Sequence, residues 1–302
     1  MSLAVKYAEH GSADVLNVVE VEEPLAGSGK IRIAVKAAGL NPYDFKARSG
    51  LYGQRTLPSG QGAEFSGVVD QIGDGVSGVS LGDEVLGWTS FAAQAEYVLV
   101  APDRVAPKPA NLDWTVAAGI GLVGNTALRS TNSLQLGPLD TVLVSAAAGG
   151  VGILSVQFAL ATGATVVGTA SAANHEFLLG LGITPVAYGE GQLARLREAA
   201  PHGYTAMLDN HGRDSVLLGL ELKIPASRIN SIADSAGADE LGIASVGGGG
   251  KTAEELAWLA RRVATGELVF PIQATFPLRE VQEAYRLLES GHGLGKIVLT
   301  VP

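Results

Sequence analysis

Hydrophobic and polar positions follow two rhythms along this chain. Up to about residue 110 the apolar positions come in short runs with a period of two. IRIAVKAAG (31–39) alternates as a half-buried strand does. FSGVVDQIG (65–73), DEVLGW (83–88) and AEYVLVA (95–101) are further short strands, separated by glycine-rich turns. One helix is predicted here, at NPYDFKARSG (41–50). Asn41 is its N-cap, Pro42 its first helical residue and Asp44 the reciprocal partner in the first turn.

From about residue 114 the rhythm changes. WTVAAGIGLVGNTALRSTNSL (114–134) reads as helix. Strand 141–146, helix 150–162, strand 164–170, helix 173–181 and a short strand at 185–187 follow. Helix 191–200, strand 204–209, helix 213–222 and strand 228–233 continue the series. This alternation predicts an α/β fold with a doubly wound parallel sheet. KTAEELAWLARRVATG (251–266) and PLREVQEAYRLLESG (277–291) are amphipathic helices, and KIVLTV (296–301) is a last strand. No internal repeat or low-complexity linker separates the two parts, which are expected to enclose a cleft.

Composition narrows the picture. A length of 302 residues suits two domains. The chain is 47% hydrophobic and 17% charged, enough apolar material for a sizeable core. Its net charge of −9, without basic clusters, argues against nucleic acid or an anionic membrane as partner. No Asp, Glu, Lys or Arg lies between Asp140 and Glu176, but Gly149, Gly150, Gly152 and Gly163 break that stretch. It reads as buried strand and helix rather than as a membrane span. Cysteine is absent, which excludes disulfides, thiolate zinc sites, iron–sulfur clusters and cysteine nucleophiles. The opening MSLAVKYAEHG carries charge early and has no long apolar core, so it does not read as a signal peptide. A cytoplasmic protein is expected.

One stretch carries candidate chemistry. TVLVSAAAGGVG (141–152) follows a predicted strand and opens a helix. In a dinucleotide-binding turn three glycines allow the tight turn, backbone approach to the pyrophosphate and close helix–strand packing. Those places hold Ala147, Gly149 and Gly152. Ala148, Gly149, Gly150, Val151 and Gly152 are therefore candidates for holding a pyrophosphate at the helix N-terminus. The end of the second strand, GTASAANHE (168–176), lacks the carboxylate that holds a ribose 2′-hydroxyl in an NAD site; Glu176 falls late, inside the next helix. Ser171, His175 and Tyr188 could hydrogen-bond a 2′-phosphate, although the usual arginine or lysine is missing. An exposed helix residue is the alternative for His175. Asn210, after strand 204–209, and Gly248 complete the cofactor candidates. His10, His202, His211 and His292 are scattered without ligand spacing, and no G-x-S-x-G elbow is present.

GLNPYDFKARSGLY (39–52), LPSGQGAEFSGVV (57–69), LGDEVLG (81–87), SAAAGGVG (145–152) and GKIVL (295–299) occur in order from end to end. With these motifs the whole chain resembles a zinc-free medium-chain dehydrogenase/reductase of the quinone oxidoreductase (zeta-crystallin-like) family. The resemblance implies a GroES-like, β-rich catalytic domain, expected at 1–114 plus 267–302, and a Rossmann NADP-binding domain at 115–266. It also implies NADPH, and reduction of a quinone or of a carbon–carbon double bond next to a carbonyl. Zinc relatives carry a cysteine where this chain has Asn41 and a histidine where it has Ala63. Glu64 alone is not a zinc site, so no zinc or other metal is expected.

The resemblance also assigns roles. Asn41 and Tyr52 match positions lining the nicotinamide pocket. Asn41 would orient cofactor or substrate, and Tyr52 would hydrogen-bond or protonate the developing enolate. A helix cap and a partly buried loop tyrosine are the respective structural alternatives. Asn125 stands where a threonine is usual under the nicotinamide. Lys296 matches a position near the cofactor, with an exposed strand residue as its alternative. Lys46 reads as a solvated helix lysine. The segment 228–250 is shorter than in typical members and lacks their aromatic, proline-rich loop. Two other readings stand beside the reductase: an enoyl-thioester reductase, and a non-catalytic NADPH-binding sensor or structural protein. A homodimer is expected through an edge strand at 242–247.

Overall fold

A computed structural model describes residues 1–302 except Gln54 and His292. The chain begins with β1 (Ser2–Tyr7), β2 (Asn17–Val21), β3 (Ile31–Gly39), α1 (Pro42–Arg48), β4 (Ser59–Gly60) and β5 (Glu64–Ile72). It continues with β6 (Glu84–Trp88), β7 (Tyr97–Val100), β8 (Val105–Pro107) and α2 (Trp114–Ser133). Next come β9 (Thr141–Val144), α3 (Gly150–Ala161), β10 (Thr165–Ala170), α4 (His175–Gly180), β11 (Thr184–Ala187) and α5 (Gln192–Ala199). Then follow β12 (Ala206–Asp209), α6 (Arg213–Glu221), β13 (Ile229–Ser231) and α7 (Ala238–Leu241). The chain closes with α8 (Ala253–Ala264), β14 (Ile272–Pro277), α9 (Val281–Glu289) and β15 (Lys296–Thr300).

Residues 1–122 with 251–302 form one compact unit, and 123–250 form a second. The division falls inside α2. It places 115–122 and 251–266 with the β-rich unit, whereas the sequence pattern assigns them to the α/β part. Packing explains the difference. Ala118 of α2 lies buried with Ala37 and Val298, and α8 packs on β8 and β6, burying Leu256, Leu259 and Ala260.

In the first unit, β14-β15-β3-β5-β6-β8 form one sheet, with β7 also paired to β3, and β2-β1-β4 form a second. The alternation read in 31–39 buries Ile31, Ile33 and Val35, which share a core with Phe65, Val69, Val85, Tyr285 and Leu299. β14 was not foreseen. It has no buried residue, so no period-two pattern marks it.

The second unit is a parallel five-stranded sheet in the order β11-β10-β9-β12-β13. β9 lies at the centre, and the chain winds from it first one way and then the other. The loop after β9 therefore sits at the topological switch point, where ligands of open α/β sheets bind. The edge strand expected at 242–247 does not form. Ala244 makes a single parallel bridge to Asn230. Beyond it the Asn230 side chain replaces a neighbouring strand: the Val246 N–H donates to Asn230 Oδ1 (2.7 Å) and Asn230 Nδ2 donates to the Val246 carbonyl (2.9 Å).

Candidate functional site

In the first unit, strand register assembles a buried polar cluster. Val298 pairs with Gly39 across the antiparallel β15–β3 ladder, and Ala38 pairs with Phe65 across β3–β5. Continuing both registers brings Lys296 and Glu64 beside the end of β3, where Asn41 begins α1. Lys296 Nζ donates to Glu64 Oε1 (2.6 Å) and to Asn41 Oδ1 (2.5 Å). Asn41 Nδ2 donates to Glu64 Oε1 (2.8 Å), and the Leu122 N–H donates to Glu64 Oε2 (2.6 Å). All three side chains are buried. Two charges taken from water persist here because each is paired and further hydrogen-bonded. Gly39 makes room for the cluster: a Cβ there would lie 2.6 Å from Glu64 Oε1 and 2.7 Å from the Ala118 carbonyl oxygen. Lys296 is thus not the exposed strand residue that the sequence allowed.

Asn41 caps α1 through its backbone, since its N–H donates to Asp44 Oδ2 (2.8 Å) while its side chain serves the cluster. Burial pushes the Asp44 carboxyl up to about 7, against the pull of the Asn41 N–H and of the Lys296 charge. Burial also lowers the Lys251 ammonium, which Glu64 and Asp44 pull back up. Asp44 gives a testable pH dependence. Its folded-state pKa lies above the unfolded 3.8, so the folded chain holds the proton more tightly. Its contribution is fully present below about 4 and is lost as pH rises towards 7, at up to about 1.4 kcal/mol per pH unit. Asp44→Asn keeps an acceptor for the cap. Urea unfolding of this variant between pH 4.5 and 7.5 is expected to show a flatter pH dependence than the parent chain; parallel curves would refute the assignment.

Tyr52 lies outside this cluster, in the loop after α1. It stacks on Tyr43 (5.5 Å between centroids), which stacks on Phe91 (5.2 Å), and the Arg55 guanidinium lies 3.5 Å over the Phe91 ring. Tyr43 and Tyr52 are about half exposed. Burial, with the Tyr43 hydroxyl adding to it, raises the Tyr52 hydroxyl above its ordinary value.

In the second unit the turn after β9 has the shape a dinucleotide requires. Its left-handed residue is Ala146 (φ 47°), one before the place assigned to the tight turn. The Ala147 N–H donates to the Thr169 carbonyl (2.9 Å). A Cβ on Gly152 would overlap the Ala146 carbonyl oxygen and lie 2.8 Å from Ala147 Cα, so this glycine is fixed by the fold. Gly149 is different: a Cβ there would meet only the Ala146 carbonyl oxygen, at 3.4 Å. Its smallness answers no demand of the chain itself and leaves space for a ligand. No side chain caps α3, so its first N–H groups face outward as an anion site. The residues present therefore fit a pyrophosphate.

Asp209, at the end of β12, organises the neighbouring loops and was missed in the sequence. Fully buried, it accepts from Ser145 Oγ (2.6 Å), Ser231 Oγ (2.6 Å), the His211 N–H (3.1 Å) and the Gly212 N–H (3.3 Å). Asn210 bonds back to Ser145 through its N–H (2.8 Å to Oγ) and its Nδ2 (3.0 Å to the carbonyl). The Ala170–Ala187 pairing puts Ser171 and Tyr188 just past adjacent strand ends. Arg195 Nη2 donates to the Ala187 carbonyl (2.8 Å) and Nη1 to the Glu190 carbonyl (2.8 Å), fixing the loop that carries Tyr188. His175 opens α4 with its Nε2 buried and unpartnered. Asn125 is buried on α2, and Gly248 lies in an exposed stretch before Lys251. Among the described residues no three His, Asp or Glu side chains gather as a metal site, and no helix is long and apolar enough to cross a membrane. His292 lies outside the described residues.

Residues 27–110 match the alcohol dehydrogenase GroES-like domain, and residues 181–299 match the zinc-binding dehydrogenase family. The chain is 31% identical to quinone oxidoreductase 1 of Escherichia coli, over 99% of both chains. The quinone oxidoreductase structure from Coxiella burnetii superposes with a TM-score of 0.88 at 31% identity, covering 100% of this chain and 99% of that one. The Escherichia coli quinone oxidoreductase structure complexed with NADPH superposes with a TM-score of 0.85 at 27% identity, covering 99% of each.

Proposed function

We propose, since this chain belongs to the medium-chain dehydrogenase/reductase family on its quinone oxidoreductase branch and is an NAD(P)H-dependent oxidoreductase, that it reduces quinones or α,β-unsaturated carbonyls with NADPH and without zinc. The observation that carries the reading is the turn at the switch point, where Gly149 leaves space beside an uncapped helix N-terminus. The NADPH in the similar Escherichia coli structure supports the same cofactor. Ala148, Gly149, Gly150, Val151 and Gly152 would hold its pyrophosphate. Ser171, His175 and Tyr188 would face its 2′-phosphate.

Bound there, the cofactor supplies the hydride. The chain supplies orientation and a proton. Asn41 offers a carboxamide N–H to a carbonyl oxygen. Tyr52 holds a proton at its hydroxyl for the oxygen on which negative charge develops. Zinc independence rests on residue chemistry. An amide at 41 and a methyl group at 63 are not zinc donors, and Glu64 already carries an ammonium as its cation.

Metal-stripped protein is expected to oxidise NADPH well above NADH, read at 340 nm with an ortho-quinone and a small enone. Tyr52→Phe should lower kcat on the enone about a hundredfold and leave NADPH affinity unchanged. The quinone should suffer less, because its reduced anion takes a proton from water readily. Equal use of NADH would remove the 2′-phosphate site. Activity appearing only on adding zinc would remove the metal-free mechanism.

A further inference from the structure

We infer that Glu64 and Lys296 are positioning residues that lock the Asn41 carboxamide in one orientation, so that one of its N–H groups is presented to a carbonyl oxygen of the bound reactants. This rests on the proposed role of Asn41.

A carboxamide has two ends of similar shape and opposite polarity, and in most settings it can turn over at modest cost. At Asn41 both ends are held by charges. The Lys296 ammonium lies 2.5 Å from Oδ1, and Glu64 Oε1 lies 2.8 Å from Nδ2. The ring closes on itself, because the same ammonium donates to the same carboxylate oxygen at 2.6 Å. Turning the amide over would set N–H against ammonium and oxygen against carboxylate. Both contacts repel, and burial strengthens the repulsion. Glu64 is itself anchored at its other oxygen by the Leu122 N–H, and Lys296 is fixed on β15 opposite the end of β3. Nothing in the ring can rotate alone.

The lock leaves one group over. Asn41 Nδ2 has two hydrogens; Glu64 takes one, and the other has no acceptor among the described residues. A buried N–H without a partner is costly unless a ligand satisfies it. Here its direction is set by the plane of the amide, and the plane is set by the ring. A preoriented donor of this kind suits a carbonyl oxygen, of the acceptor substrate or of the nicotinamide carboxamide. It adds most where that oxygen gains negative charge.

The test compares Asn41→Ala, the double variant Glu64→Gln/Lys296→Met and Lys296→Arg. The double variant removes both charges together, so no orphaned ion is left to unfold the chain. The neutral amide it places at position 64 can donate or accept, and Asn41 is free to turn. Turnover is measured per NADPH-binding site, with NADPH affinity titrated separately. The double variant is expected to lose about ten- to a hundredfold in kcat/KM at a melting temperature close to the parent's, and Lys296→Arg to recover most of the loss. An unchanged NADPH dissociation constant would assign the free N–H to the substrate carbonyl, and a weakened one to the nicotinamide carboxamide. Parent-like turnover in the double variant, with Asn41→Ala impaired, would overturn the positioning role. So would a loss confined to the fraction of sites that bind NADPH. Parent-like turnover in Asn41→Ala would instead remove the Asn41 reading, and the inference with it.

Discussion

Gly152→Ala is expected to abolish NADPH binding and to lower stability by about 3 kcal/mol, the upper part of the range for overpacking a tight site. The new methyl group would overlap the Ala146 carbonyl oxygen and press on Ala147 Cα. Both are backbone atoms in the turn joining β9 to α3, and Ala146 already holds a left-handed conformation. The turn has no soft side chain to give way. Gly149→Ala is the control. Its methyl group would sit at ordinary contact distance from the chain, so the protein should keep its urea midpoint while losing cofactor affinity. NADPH fluorescence titration beside urea unfolding separates the two effects. If Gly149→Ala bound NADPH as the parent does, no pyrophosphate would lie on this turn.

The second large effect is expected at Asp209. Asp209→Ala leaves two buried hydroxyls and two partly buried backbone N–H groups without their acceptor. Each orphaned buried donor costs about 1–3 kcal/mol. Rotation of the two hydroxyls recovers part of that, so a net loss of about 4 kcal/mol is expected in urea unfolding. Asp209→Asn preserves shape and one acceptor oxygen, and its amide can donate to the Ser231 hydroxyl. It should cost much less. A loss under about 1 kcal/mol in Asp209→Ala would show that the loops after β9, β12 and β13 hold themselves.

The two sites were legible in the sequence to different degrees, for a physical reason. The turn at 145–152 is local: strand, turn and helix N-terminus lie within about a dozen residues, and glycine spacing reports backbone geometry directly. The β/α alternation was readable for the same reason, because buried parallel strands and their helices each leave an apolar signature. The Asn41–Glu64–Lys296 ring is not local. Lys296 lies 255 residues from Asn41, and only the pairing of β15 with β3 brings them together. Strand register across that separation has no sequence signature, so Lys296 could read as a surface residue. Asp209 went unseen because an acid at a strand end reads as a solvent-facing loop residue until its donors are placed. The 242–247 segment misled in the other direction. The family resemblance implied an edge strand there, but a side-chain amide from β13 occupies the ladder positions that a strand would fill.

The stacked column beneath Tyr52 has a consequence for motion. A half-exposed tyrosine on a loop ordinarily changes rotamer on the picosecond-to-nanosecond scale. Ordering such a ring at the moment of reaction would raise the entropic part of the barrier. Here the ring already leans on Tyr43, Tyr43 on Phe91, and Phe91 carries the Arg55 guanidinium. Each aromatic pair adds about 0.5–1.5 kcal/mol beyond simple area burial. The stack biases Tyr52 toward one well, so in the proposed proton-donor role part of its loss of freedom would belong to the folding of the chain rather than to each catalytic turn.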